Sequence, residues 1–82
     1  MPDDNPSPQK RALVPMPADV RALLVARGLH ESYVARPPYQ RNDYLAWIGR
    51  AVRPETRQKR LDQMLAELEA GHGYMNMEWR PR

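Results

Sequence analysis

Proline placement limits what this chain can fold into more than any other feature. Nine prolines stand among 82 residues. A proline inside a helix removes a backbone hydrogen bond and clashes with the preceding turn, whereas at the first helical position it costs nothing. Each proline therefore opens a helix or interrupts one. Pro2, Pro6, Pro8, Pro15 and Pro17 crowd the start of the chain. Residues 1–15 accordingly read as a polar, disordered leader, with Ala12-Leu13-Val14 as its one apolar patch and a candidate for docking on the core. Pro17, Pro37-Pro38 and Pro54 divide the remainder into windows that hold one helix each.

The first window opens near Pro17, with Asp19 at the positive end of the helix dipole. Val20, Leu23 and Leu24 recur at the spacing of one buried face, and Gly28 supplies the stop. Leu29 to Ala35 has room for an extra helical turn, with Tyr33 and Val34 expected inward. Arg36 precedes Pro37-Pro38, which forces an extended joint. The second helix is expected from about Tyr39 to Val52, with Tyr44, Leu45, Ile48, Ala51 and Val52 inward and Trp47 on the flank. Gly49 in that helix costs about 1 kcal/mol relative to alanine, and marks either a close neighbour or surface tolerance. The third helix runs from Pro54 to Ala70 and stops at Gly71. Leu61, Met64, Leu65 and Leu68 give it the clearest periodicity in the chain, and Glu55 and Lys59 stand at ion-pair spacing. No segment combines β-branched residues with sustained alternation. The expectation is an all-α fold: a small three-helix domain over residues 16–71, with a possible extra turn between helices 1 and 2. Residues 72–82 follow as a Met/Trp tail packed on the helices. Alternation in Tyr74-Met75-Asn76-Met77-Glu78-Trp79 predicts an extended strip with one apolar edge.

A chain this short buries only about 60% of its unfolded surface. The absence of cysteine excludes disulfides, thiolate metal sites and thiol nucleophiles. Tight helix packing or self-association remains to secure so small a core. Met1-Pro2-Asp3-Asp4-Asn5-Pro6-Ser7-Pro8 holds no apolar run of the signal-peptide kind. No segment approaches the roughly 18 apolar residues of a membrane span. The expectation is a cytoplasmic protein.

Charge is divided along the chain. Residues 36–60 hold seven bases against two acids, and residues 61–79 hold four acids and no Lys or Arg. Such asymmetry marks either internal pairing or a surface for an anionic partner. Within the third helix the bases come early (Arg57, Lys59, Arg60) and the acids late (Glu67, Glu69), against the preference of the dipole. At 100° per residue Arg57 falls at about 320° from Leu61, on the inner face of the helix. Arg57 therefore calls for an internal partner, for which Asp19 and Asp43 are candidates. Together with Asp43, Trp47 and Tyr44 it reads as a structural strut. Arg53, Lys59 and Arg60 remain as outward contacts, with Met77 and Trp79 as an adaptable apolar surface.

The run Pro37-Pro38-Tyr39-Gln40-Arg41-Asn42-Asp43-Tyr44-Leu45-Ala46-Trp47-Ile48 resembles a known pattern. So does Arg53-Pro54-Glu55-Thr56-Arg57-Gln58-Lys59-Arg60-Leu61 followed by Glu67-Leu68-Glu69-Ala70-Gly71. Together they resemble the bacterial YdeI/OmpD-associated family, also called bacteriocin-protection proteins, over about Met16 to Trp79. The resemblance implies a short helical module, a link to bacteriocin or stress tolerance, and no catalytic residue set.

The residues themselves point away from chemistry. His30 and His72 lie far apart, with no carboxylate at ligand spacing. Ser7 and Ser32 lack a nucleophile motif, and no glycine-rich phosphate loop occurs. Glu67 and Glu69, two apart on a helix, face different sides. The expectation is a non-enzymatic module without metal or cofactor that binds an unknown protein partner or a second copy of itself. The alternative is a nucleic-acid-binding domain that uses the basic region of helices 2 and 3, with Trp47 and Tyr44 as stacking groups. The acids of the tail weigh against it.

Overall fold

A computed structural model describes residues 13–81. Four helices follow in order: α1 (Ala18–Ala26), α2 (His30–Val34), α3 (Pro38–Gly49) and α4 (Pro54–Ala70). The extra turn is thus a helix in its own right. Among the described residues there is no β-strand. Three helices start where proline permits it. Pro17 and Pro37 sit in extended conformation just before α1 and α3, and Pro38 and Pro54 occupy first-turn positions of α3 and α4. The stops follow the glycines, with Gly28 at φ 68° after α1 and Gly71 at φ 83° as the left-handed cap of α4.

Helix α4 is the axis against which α3 and α2 pack, while α1 packs on α2. Its stripe Leu61, Met64, Leu65 and Leu68 is fully buried. It meets Tyr44, Leu45 and Ile48 from α3, Val20 and Leu24 from α1, and Leu29 and Tyr33 from the second segment. Gly49 has open space where a Cβ would project, so this glycine answers to surface tolerance. Val14 and Met16 dock on the edge of the core, where the Val14 N–H donates to Asn42 Oδ1 at 2.8 Å. Leu13 stays exposed, and the rest of the expected leader lies outside the described residues.

Several expectations are corrected. Helix α3 ends at Gly49, so Ala51 and Val52 belong to a four-residue joint, Arg50–Arg53, and Val52 is 95% exposed at its tip. Proline at position 54 forces Arg53 into extended backbone, which carries Val52 off the helical register. Val34 is half-exposed, because the short α2 turns only Tyr33 inward. The tail does not run as an extended strip. Tyr74 and Met77 form an antiparallel bridge around Met75 (φ 50°) and Asn76 (φ 67°), reversing the chain in two residues. Alternation in sequence therefore came from a turn with inward and outward residues rather than from a strand. The Glu55–Lys59 pair does not form; the α4 surface instead carries a Gln58–Asp62 hydrogen bond of 2.8 Å.

Burial sets the expected cost of substitution. Leu68→Ala should destabilise the fold by about 2–5 kcal/mol, the range for cavities in a packed core. Val52→Ser should stay within about 0.5 kcal/mol of the parent. Chemical denaturation followed by far-ultraviolet circular dichroism measures both.

Candidate protein-interaction site

The C-terminal segment is held to the helices by two charged side chains. Arg36, in the joint between α2 and α3, is only 4% exposed. Its guanidinium donates to the Gly73 carbonyl at 2.6 Å, the Glu67 carbonyl at 3.0 Å and Gln40 Oε1 at 3.1 Å. It also lies 4.4 Å from the ring centroid of Trp79, in cation–π contact. The cation thus meets the carbonyl-rich end of α4, where helix polarity favours positive charge. Gln40, fully buried, completes the arrangement by donating to the Tyr39 hydroxyl.

Glu67 holds the turn from the other side. Its carboxylate accepts the Met75 and Asn76 N–H groups at 2.9 Å each, the Gln63 amide at 3.1 Å and the Tyr44 hydroxyl. Two successive left-handed residues point their N–H groups to one side and form an anion-binding concavity. Here the anion is Glu67. Asparagine tolerates that backbone, whereas Met75 is held in it at a cost of about 1–2 kcal/mol. Tyr74 locks the base of the turn: its ring meets Tyr44 and Tyr39 edge-on at 5.4 and 5.9 Å, and its hydroxyl donates to Asp43 at 2.7 Å.

Partial burial pushes the Glu67 carboxyl upward, but the donors from Asn76, Tyr44, Met75 and Gln63 outweigh it, so it stays below the ordinary glutamate value. Burial, followed by the neighbouring Glu67, raises the Tyr44 hydroxyl well above the usual tyrosine range. Glu67 is therefore an ionised carboxylate fully occupied by its donors.

Between α4 and this turn runs an open groove of about 610 Å³. Gln63, Ala66, Glu67 and Ala70 line it from α4, and His72, Gly73, Asn76, Met77, Glu78 and Arg80 from the C-terminal segment. Its volume is that of a binding cleft. Ala66 and Ala70 keep the floor low, and Met77, 56% exposed, stands in the wall.

The site residues read from sequence are scattered. Met77 lies in the groove, whereas Trp79 is half-buried against Arg36. Arg53 and Lys59 are exposed. Arg60 is not free for an outside partner: it donates to the Trp47 carbonyl at 2.7 Å and covers the Trp47 ring at 5.4 Å. Arg57 makes a two-pronged pair with Asp19 of α1, at 2.8 and 3.2 Å. That pair lies at the surface and not inside, because the long side chain leaves the apolar stripe to reach α1; their side chains are 33% and 58% exposed. The hydrogen bond from Arg57 lowers the Asp19 carboxyl. Asp43 serves Tyr74, Tyr44 serves Glu67, and Trp47 packs on the core. Arg36, Glu67 and Tyr74 had no sequence signal as a unit, since Arg36 reaches the Glu67 and Gly73 carbonyls across 31 and 37 positions, Tyr74 reaches Asp43 across 31, and Glu67 gathers donors 4 to 23 positions away. Only the position of Glu67 beside the apolar stripe of α4 hinted at a tertiary role. Among the described residues, no group of three His, Asp or Glu side chains is placed to hold a metal, and no helix is long and apolar enough to cross a membrane.

A family model described as OmdA, "Bacteriocin-protection, YdeI or OmpD-Associated", matches residues 14–71. The match ends at the glycine that caps α4, so the turn and one wall of the groove lie beyond it. No curated protein and no solved structure matches the chain.

A lowered carboxylate contributes stability that is present above its unfolded pKa and lost as pH falls through the folded one. Glu67→Gln should therefore cost about 1–3 kcal/mol at neutral pH, because an amide N–H then faces donors. Its difference from the parent should shrink as pH drops below the ordinary carboxylate range, as denaturation curves across pH would record. Arg36→Met should release residues 72–81 while the helices persist. Red-shifted Trp79 emission in a Trp47→Phe background, with faster proteolysis after Gly71, is the expected result.

Proposed function

The chain belongs to the OmdA family, bacteriocin-protection and YdeI- or OmpD-associated, and from that premise we propose that it is a non-enzymatic protein-interaction module acting in the cytoplasm in bacteriocin or stress tolerance. The groove between α4 and the C-terminal turn carries this reading. It pairs a low apolar floor and an exposed methionine with amides and charges at the edge, the composition of a site that accepts a protein segment. The turn that forms its wall is anchored by Arg36 and Glu67, so the surface is preorganised and loses little entropy on binding.

A second reading, nucleic-acid binding, rests on Arg50 and Arg53. Both are exposed in the α3–α4 joint and neither enters an ion pair among the described residues. It predicts affinity falling by about 0.9 log units per log unit of salt for each phosphate neutralised. A mobility shift at low salt that Arg53→Glu abolishes would favour it.

For the primary reading, the tagged full-length chain should retain a stoichiometric protein partner. Met77→Asp should reduce retention at least about tenfold, the scale of one interface hot spot. Val25→Asp, on the exposed face of α1, should not. Equal retention by all three proteins would reject the groove as the binding surface.

A further inference from the structure

The two poles of α4 complement each other. At its N-terminal end the joint Arg50-Ala51-Val52-Arg53 presents an almost fully exposed valine between two exposed arginines that lack ion pairs among the described residues. Toward its C-terminal end lies the groove, with Ala66, Ala70 and Met77 as apolar surface and Glu78 as an exposed carboxylate at the edge. Asp62 and Glu69 add negative charge on the open face of α4, and Arg80 is the one Lys or Arg in the lining. An apolar knob flanked by cations thus meets an apolar groove that has Glu78 at its edge and Asp62 and Glu69 on the exposed surface of α4.

We propose that the groove receives the Arg50–Arg53 joint of a second copy of this chain. This deepens the interaction-module reading by naming the occupant of the same groove, and it rests on that reading. One copy cannot fill its own groove: Arg53 and Ala66–Ala70 are separated by about 20–25 Å along one rigid helix at 1.5 Å per residue. The contact is therefore between molecules. Its two halves are different surfaces, so copies join either head to tail or as a reciprocal pair in which each joint enters the other's groove. Val52 enters against Ala66, Ala70 and Met77, while Arg50 and Arg53 stay at the edge beside Glu78 and the acids of α4. A joint of four residues covers less area than standard interfaces, so association is weak and sensitive to salt.

The full-length chain is examined by sedimentation velocity up to the highest soluble concentration, at about 0.05 M and about 0.5 M salt, a range over which exposed charges pass from weakly to strongly screened. Concentration-dependent association that weakens at least about fivefold at high salt is the expected result. Val52→Asp and Met77→Asp should each be monomeric with unchanged helical circular dichroism, since both side chains are exposed. Mixing the two variants should recover association that stops at a 1:1 pair, because the intact joint of one fits the intact groove of the other. A monomeric parent, association indifferent to both substitutions, or a mixture that stays monomeric would each overturn the proposal. Nucleic-acid binding through Arg53 by a chain that stays monomeric would overturn it too. If the parent is monomeric yet still captures a partner through Met77, self-docking fails and the interaction-module reading survives. Loss of both removes the reading itself.

Discussion

A buried guanidinium organises the C-terminal third of this molecule. Arg36 brings together the end of α4, the start of α3 and the segment after Gly71 by donating to one carbonyl in each of two segments and one side-chain amide. A cation buried to this degree is tolerable only when its donors are matched, and here three acceptors and the face of Trp79 do so. Glu67 is the counterpart on the opposite side of the same backbone. Its carbonyl accepts from Arg36 while its carboxylate grips the turn. The two side chains never form an ion pair with each other. They hold neighbouring peptide groups of one short segment, Arg36 at the Gly73 carbonyl and Glu67 at the Met75 and Asn76 N–H groups, which explains why a turn with methionine in left-handed backbone persists.

That arrangement also links stability to surface. The turn is one wall of the groove, and α4, within the part of the chain that matches the OmdA family, is the other. The match covers the helical platform and stops at residue 71, before the turn.

The arginines divide by what they touch. Arg36 is internal, Arg57 ties α4 to α1 at the surface, and Arg60 covers Trp47. Arg50 and Arg53 remain turned to solvent at the far pole. A sequence run that looks like one basic stripe is thus several separate devices. The helix dipole explains none of the bases in the first turns of α4; their tertiary partners do, at least for Arg57 and Arg60.

What the sequence determined by itself was the helical scaffold. Proline and glycine act through the backbone of their own residue, and the spacing of Leu61, Met64, Leu65 and Leu68 repeats with the helix, so these signals are local and α4 could be read to its last residue. Pairing of Arg57 was also legible in part, because only an apolar face makes a charge need a partner, although its exposed placement was not. The end of α3, the outward turn of Val52 and Val34, and the reversal at Met75-Asn76 were decided by tertiary structure. So were the roles of Arg36, whose carbonyl partners lie 31 and 37 residues away, and of Glu67, whose donors come from α3, from its own helix and from the turn after it. Hydrogen-bond geometry between distant segments leaves no periodic trace in a sequence. It exists only once the helices have met, and the groove exists for the same reason.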